Sequence, residues 1–262
     1  ASAPESASAP ESASAPESQE FQDPMSSGGV GPIMIRIPGG KFDMGAVGFT
    51  ANQNEFPQHE VVVRPFAASK YEVSYAEYGE FTDATARAPA KNPSDVEPQT
   101  HPVRFVSWED ALAYTTWLSG QTGEKYRLLS EAEWEYIARA NTFTEFWWGD
   151  EPGSENAHCA DCKSGLDTRL PTRAGRFQPN AFGIHDTAGN VQEWVHDCYK
   201  GNYIGAPSDG NVWEYGECTH RVTRGGSYDS PASSLRSSSR NKRRPTTGYD
   251  AVGIRLARDL EL

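Results

Sequence analysis

RVTRGGSYDSPASSLRSSSRNKRRPTTGYDAVGIRLARD, running from Arg221 to Asp259, is the stretch whose reading decides the fold. It contains no cysteine, and none follows Cys218. Its middle, Tyr228 to Ala251, holds six serines, two tyrosines, four arginines, one lysine and two aspartates. Five cations against two acids make this segment +3 within a chain of net charge −12. Tyrosine, serine, glycine and arginine are the palette of adaptable binding loops, which join rigid aromatic contact to versatile hydrogen bonding. Arg224-Gly225-Gly226-Ser227 reads as a backbone turn. It lacks the Lys-Ser/Thr ending of a phosphate loop and the Gly-x-Ser-x-Gly of a hydrolase elbow.

Two earlier stretches belong with this one: RLLSEAEWEYIARA (Arg127 to Ala140) and NAFGIHDTAGNVQEW (Asn180 to Trp194). In this order the three motifs resemble the formylglycine-generating enzyme (sulfatase-modifying factor) family, a branch of the C-type-lectin fold. The resemblance covers roughly residues 30 to 259. It implies an α+β domain with few helices around short, twisted antiparallel sheets. In the family's enzymes a copper-binding cysteine pair lies just after the Gly-Gly-Ser-Tyr. Here Gly225 to Tyr228 are followed by Asp229, Ser230 and Pro231, and only Ser, Leu and Arg surround the second position. Serine cannot supply the soft thiolate that selects Cu(I), so no copper and no formylglycine generation are expected.

The terminal segment is also similar to the variable proteins of diversity-generating retroelements, whose last stretch looks like RVLRGGSW…GFRLAR. The types that adenine mutation of an AAC codon cannot make there (Glu, Lys, Gln, Met and Trp) are represented in 228–251 by Lys242 alone. This resemblance implies a noncatalytic ligand-binding domain, with Tyr228, Asp229, Ser230, Ser233, Ser234, Arg243, Thr246, Tyr249 and Asp250 as contacts. Arg236, Arg240 and Arg255 sit where the family keeps bracing arginines. The rival readings are an oxidase using residues other than cysteine, and a sensor domain in a larger kinase or protease chain.

His185 to Trp194 is the internal motif with the clearest chemistry. Calcium takes several oxygens from carboxylates and backbone carbonyls within a tight turn. Carried over from the family position by position, its ligands are Asp186, Gly189, Val191 and Glu193. The bland alternative is a capped turn with solvated acids. His185, His196 and His220 show no spacing that marks a nucleophile, a base and an orienting group.

Composition bounds the rest. The first 18 residues are three copies of ASAPES, and the residues to Gly31 are Gly/Ser-rich and polar. We read 1–31 as a disordered tail, able to join an upstream domain, and 32–262 as one domain. There is no apolar run long enough to span a membrane, so direct membrane insertion is not expected. The charge of −12 disfavours nucleic acid; the expected partner is a protein or another surface ligand. Cys159, Cys162, Cys198 and Cys218 make an even count that favours disulfides and an extracytoplasmic or cell-surface setting, or a cytoplasmic one if they are reduced. The CADC spacing of Cys159 and Cys162 also allows half of a zinc site or a redox pair. Relatives imply the pairs Cys159–Cys162 and Cys198–Cys218.

Local patterns predict a hairpin over Ile33 to Met44, strands at His59–Phe66 and Val252–Leu256, and three helices opened by capping boxes at Ser74, Ser107 and Ser130. Gly120 is expected to stop the second helix. Trp108, Trp134, Trp147, Trp148 and Trp194 are read as core.

Overall fold

A computed structural model describes residues 20–47, 51–91 and 96–260. The ASAPES repeats lie outside the described residues. The fold begins earlier than the expected boundary at residue 32. Strand β1 (Glu20–Phe21) pairs with β2 (Met34–Ile37). Asp23 is buried, accepting hydrogen bonds from the Tyr126 hydroxyl at 2.7 Å and from Arg258 Nε at 2.8 Å. Local composition resembles a linker here, but these partners come from residues more than 100 positions away in sequence.

The expected hairpin over 33–44 does not form. Pro38 and Gly39 instead carry the chain out of one sheet and into another. β2 pairs with β5 (Phe66–Ser69), whereas β3 (Gly40–Met44) pairs with β4 (His59–Val63). The helices follow their caps closely. α1 (Tyr75–Thr85), α2 (Trp108–Thr122) and α3 (Glu131–Arg139) each open on a serine whose oxygen takes the third backbone N–H, and Glu77, Asp110 and Glu133 return the bond. α2 passes through Gly120 and ends at Gly123, whose φ of +76° supplies the left-handed cap.

After α2 and β6 (Tyr126–Leu128), the long irregular stretch leads to β7 (Gln192–Cys198), β8 (Arg221–Arg224) and β9 (Arg240–Arg243). The closing strand is two strands, β10 (Val252–Ile254) and β11 (Leu256–Asp259), separated by Arg255. They enter different sheets. One sheet runs β1-β2-β5-β11-β6, all antiparallel, and the other runs β10-β7-β8-β9 with β10 parallel to β7. Both expected disulfides are present, with Cα–Cα distances of 5.1 Å for Cys159–Cys162 and 5.2 Å for Cys198–Cys218. Among the described residues no helix is long and apolar enough to cross a membrane.

Tryptophans organise the interior. Trp134 and Trp194 are wholly buried and Trp108 nearly so. Each indole N–H has a partner: Glu193 Oε2 for Trp134 (2.6 Å), the Val106 carbonyl for Trp194 (3.0 Å) and the Val195 carbonyl for Trp108 (2.9 Å). Trp147 and Trp148, expected in the core, are only half-buried. Trp194→Ala should lose roughly 3–5 kcal/mol of stability through the cavity it leaves. Urea unfolding monitored by circular dichroism measures this, and a loss below about 1 kcal/mol would contradict the packing described.

Candidate functional site

The segment from Tyr228 to Ala251 has a buried side and an exposed side. Its buried side is a set of ion pairs. Arg236 meets both oxygens of Glu55 at 2.6 and 2.7 Å, and Ser238 Oγ donates to the same carboxylate at 2.8 Å. Arg240 meets both oxygens of Glu131 at 2.6 and 2.8 Å. Arg224 pairs with Glu135, which Arg139 also holds at 2.8 Å. Burial works against the Glu55 and Glu131 anions, yet the arginines facing them outweigh it and hold both carboxyls below their usual range. Arg236 and Arg240 are therefore braces, as the resemblance implies. Glu55 and Glu131 could not be singled out from sequence, because neither carries a local signal for a partner so distant.

Above these pairs opens a cleft of about 340 Å³. Asn54, Gln192, Thr223, Ser234 and Asn241 line it with amides and hydroxyls. Beside it stands the position where the family's enzymes keep their cysteines. Ser230 is half-buried, and its Oγ shares a 2.7 Å hydrogen bond with Ser227 Oγ, which also donates to Asp229 at 2.6 Å. Around the second position, Leu235 is buried at 2 % exposure in an apolar cluster with Cys159, Cys162, Ala232 and Phe146. The Cys159–Cys162 turn grips this loop from below. Ala160 N donates to the Ser230 carbonyl at 2.9 Å, and Ala232 N donates to Asp161 Oδ1 at 2.7 Å.

Most expected contacts are accessible. Asp229, Ser233, Thr246 and Asp250 are exposed, and Ser230, Ser234, Arg243 and Tyr249 are half-buried. Tyr228 is the exception, at 3 % exposure. Its hydroxyl accepts from Arg104 at 3.1 Å and its backbone N–H is bonded to the Asn190 carbonyl at 2.8 Å, so it anchors the segment instead of facing a partner. Burial pushes its phenol up to about 12.

The loop expected to hold calcium is closed and acidic. Asp186 is buried with φ +56° and accepts from Gly175 N at 2.6 Å. Gly189 N and Val191 N donate to the Gly225 carbonyl and to Glu72 Oε1, at 2.8 and 3.2 Å. Glu193 is fully buried; Arg255 meets both its oxygens at 2.7–2.9 Å and Trp134 donates at 2.6 Å. Glu72, which the sequence did not single out, is buried beside them and also accepts from Asn190 Nδ2 at 2.7 Å. Three buried carboxylates thus surround one guanidinium. Burial pushes Glu72 well up, with the charges of Asp186 and Glu193 adding to it, and burial lifts Asp186 to about 6. Their charge exceeds that of one guanidinium and oxygen is the donor a hard cation takes, but Glu72, Asp186 and Glu193 are not among the described residues that gather metal-type donors at one point. Glu193 and Glu72 fit less well than Asp186, because Arg255 and Trp134 already occupy both oxygens of the first, and Asn190 and Val191 N those of the second.

The sulfatase-modifying factor enzyme 1-like domain model matches residues 20–260. The chain belongs to the sulfatase-modifying factor family. It is 30 % identical to the formylglycine-generating enzyme of Streptomyces coelicolor, over 87 % of this chain and 90 % of that protein. It is 34 % identical to PvdO from Pseudomonas aeruginosa, whose solved structure superposes with a TM-score of 0.81 over 93 % of this chain and 98 % of PvdO. The Treponema denticola variable protein 1 shares the fold, with a TM-score of 0.73 at 20 % identity over 94 % of this chain and all of that one. The α+β, C-type-lectin-like fold is therefore shared with both solved structures.

One buried acid lies outside these motifs. Asp197, at the base of α3, accepts from Glu131 N and Trp213 N at 2.8 Å each. Burial, with the Glu131 charge, lifts its carboxyl to about 7. A folded pKa above the unfolded value near 4 means that the native state keeps a proton the unfolded chain releases. Asp197 therefore contributes stability at low pH that is lost as pH rises from about 4 to about 7. Carboxyl-carbon NMR should show an Asp197 midpoint near 7; a midpoint near 4 would contradict the burial described.

Proposed function

We propose that this chain is a ligand-binding member of its family that does not generate formylglycine, and that residues 228–251 form its recognition surface. The observation that carries this reading is the pair of former cysteine positions. Ser230, at the first, is tied to Ser227; around the second stand only Ser, Leu and Arg, with Leu235 sealed into an apolar cluster, so no thiolate is offered to a metal. The rest of the segment supports recognition: its arginines at 236 and 240 are locked below the surface while polar side chains and Tyr249 remain accessible. Loops on a rigid frame can change sequence without disturbing the core. The shared fold with a protein named as variable agrees with that role.

An oxidase using other residues is the second reading, favoured by the extent of similarity to the Streptomyces coelicolor enzyme. The two readings part on direct assay. The purified protein should leave a cysteine-containing sulfatase peptide unconverted and bind Cu(I) no better than an unrelated protein does. Aldehyde product on the peptide, or tight Cu(I) binding, would sink the binder reading. Substitutions at exposed Ser233 or Thr246 should change partner binding while moving stability by no more than about 0.5 kcal/mol.

We also propose a structural calcium at the 186–193 loop, resting on Asp186 and the loop carbonyls of Gly189 and Val191, with Glu72 as the added acid. The support is the excess of buried carboxylate over Arg255. Glu193 would contribute only by sharing oxygens with Arg255. An ion that binds the folded state stabilises it by linkage, so strong chelator should lower the melting temperature and added calcium restore it. The same melting curve in both conditions, with no calcium in elemental analysis of the native protein, would remove the site. The two disulfides are compatible with an extracytoplasmic setting.

A further inference from the structure

A second cleft, of about 370 Å³, lies between the loop after α1 and the last turn of the recognition segment. Arg87, Lys91, Phe105 and Gly248 are among its walls. Phe105 has φ +60° and is the one aromatic among the non-glycine residues with positive φ in the described residues. A bulky L-residue in that conformation is a true outlier. The recognition segment holds it there: Phe105 N donates to the Tyr249 carbonyl at 3.0 Å, and a Cβ on Gly248 would come within 2.1 Å of the Phe105 carbonyl. Strain that surrounding structure maintains is concentrated at ligand clamps and switches.

The charges around this aromatic are uneven. Lys91 and Arg104 lie over the Phe105 ring at 5.2 and 5.5 Å, and Arg243 lies over the Tyr249 ring at 5.1 Å. Arg87 pairs with Asp110, and Arg104 with Asp250. Lys91, Lys242, Arg243 and Arg244 make no ion pair among the described residues. Asp110 is itself among the cleft's walls, neutralised by Arg87, and exposed Asp250 adjoins it, neutralised by Arg104. Lys91 lines the cleft, and Arg243 and Arg244 lie on the run of chain that leads to its Gly248 wall; cations left without an ion pair among the described residues are complementary to carboxylates.

We propose that this cleft docks an acidic extended segment of a partner protein, whose carboxylates meet Lys91, Arg243 and Arg244 and whose aliphatic stems lie on Phe105. The proposal rests on the ligand-binding reading and names the chemistry of its partner. A peptide suits the site better than nucleic acid, since a long phosphate backbone would run from this small rim into the negative field of the remaining surface.

Fluorescein-labelled octaglutamate, followed by anisotropy with the whole chain, tests it. Binding should be measurable at low salt and weaken severalfold near physiological ionic strength. Lys91→Glu and Arg244→Glu should each weaken it about tenfold. Phe105→Asn retains a residue that tolerates positive φ, so it should keep or raise the melting temperature while weakening binding. Lys41→Glu, at an exposed residue of the β3–β4 ribbon, should bind as the wild type does. The proposal falls if octaglutamate does not bind, if Lys91→Glu and Phe105→Asn bind normally, or if a DNA oligonucleotide of equal charge binds as tightly. Conversion of a cysteine peptide, assayed on the same preparation, bears on the ligand-binding reading alone, so the two failures are distinguishable.

Discussion

Everything in this fold leans on Arg255. It sits at the break between β10 and β11, where the chain leaves one sheet for the other. Its guanidinium holds Glu193 of β7 and donates to the carbonyls of Ser69, Lys70 and His185, at 2.9, 3.2 and 2.8 Å. One fully buried side chain thereby fixes both sheets and the acidic loop to each other. Glu193 passes the constraint on through Trp134 to α3. Breaking such a pair strands a buried charge, at a cost of about 3–5 kcal/mol, although a well-packed apolar replacement of both partners could be neutral. It adds a directional tie between two sheets whose buried residues also pack together in shared apolar clusters.

The same device recurs under residues 228–251. Arg236 with Glu55, and Arg240 with Glu131, fasten a stretch that has little regular structure: one short strand and a single turn of tight helix. Apolar burial in this stretch is confined to Tyr228, Ala232 and Leu235 among its fully buried side chains, so the ion pairs add the hold that its later half needs. Directional ion pairs hold the backbone in place while leaving neighbouring side chains free to vary. The anchors of this frame are arginine–glutamate pairs, so its fold does not depend on a cysteine pair in this segment.

Legibility in the sequence followed the range of the interactions. The capping boxes at Ser74, Ser107 and Ser130 are complete within four residues, and each helix begins there. The bracing arginines were found through family position, and the disulfides likewise. What failed had distant causes. Pro38 and Gly39 read locally as a hairpin turn, yet β2 and β3 find their partners in β5 and β4. Residues 20–31 look like a linker until Asp23 meets Tyr126 and Arg258. Glu55, Glu72 and Asp197 are ordinary acids in the sequence, and only the tertiary fold buries them.

Burial also changes what the composition of the segment means. Its count of five cations and two acids treats all seven as one field. Two of those cations, Arg236 and Arg240, are cancelled underneath by Glu55 and Glu131, which come from elsewhere in the chain. Of the two acids, Asp250 is paired with Arg104 and Asp229 is hydrogen-bonded by Ser227. Lys242, Arg243 and Arg244 are left without an ion pair among the described residues, with Lys242 over the Tyr199 ring and Arg243 over the Tyr249 ring. The positive character of the segment is therefore not diffuse. It is gathered on one short run of backbone, while the arginines that look equivalent in the sequence serve the interior.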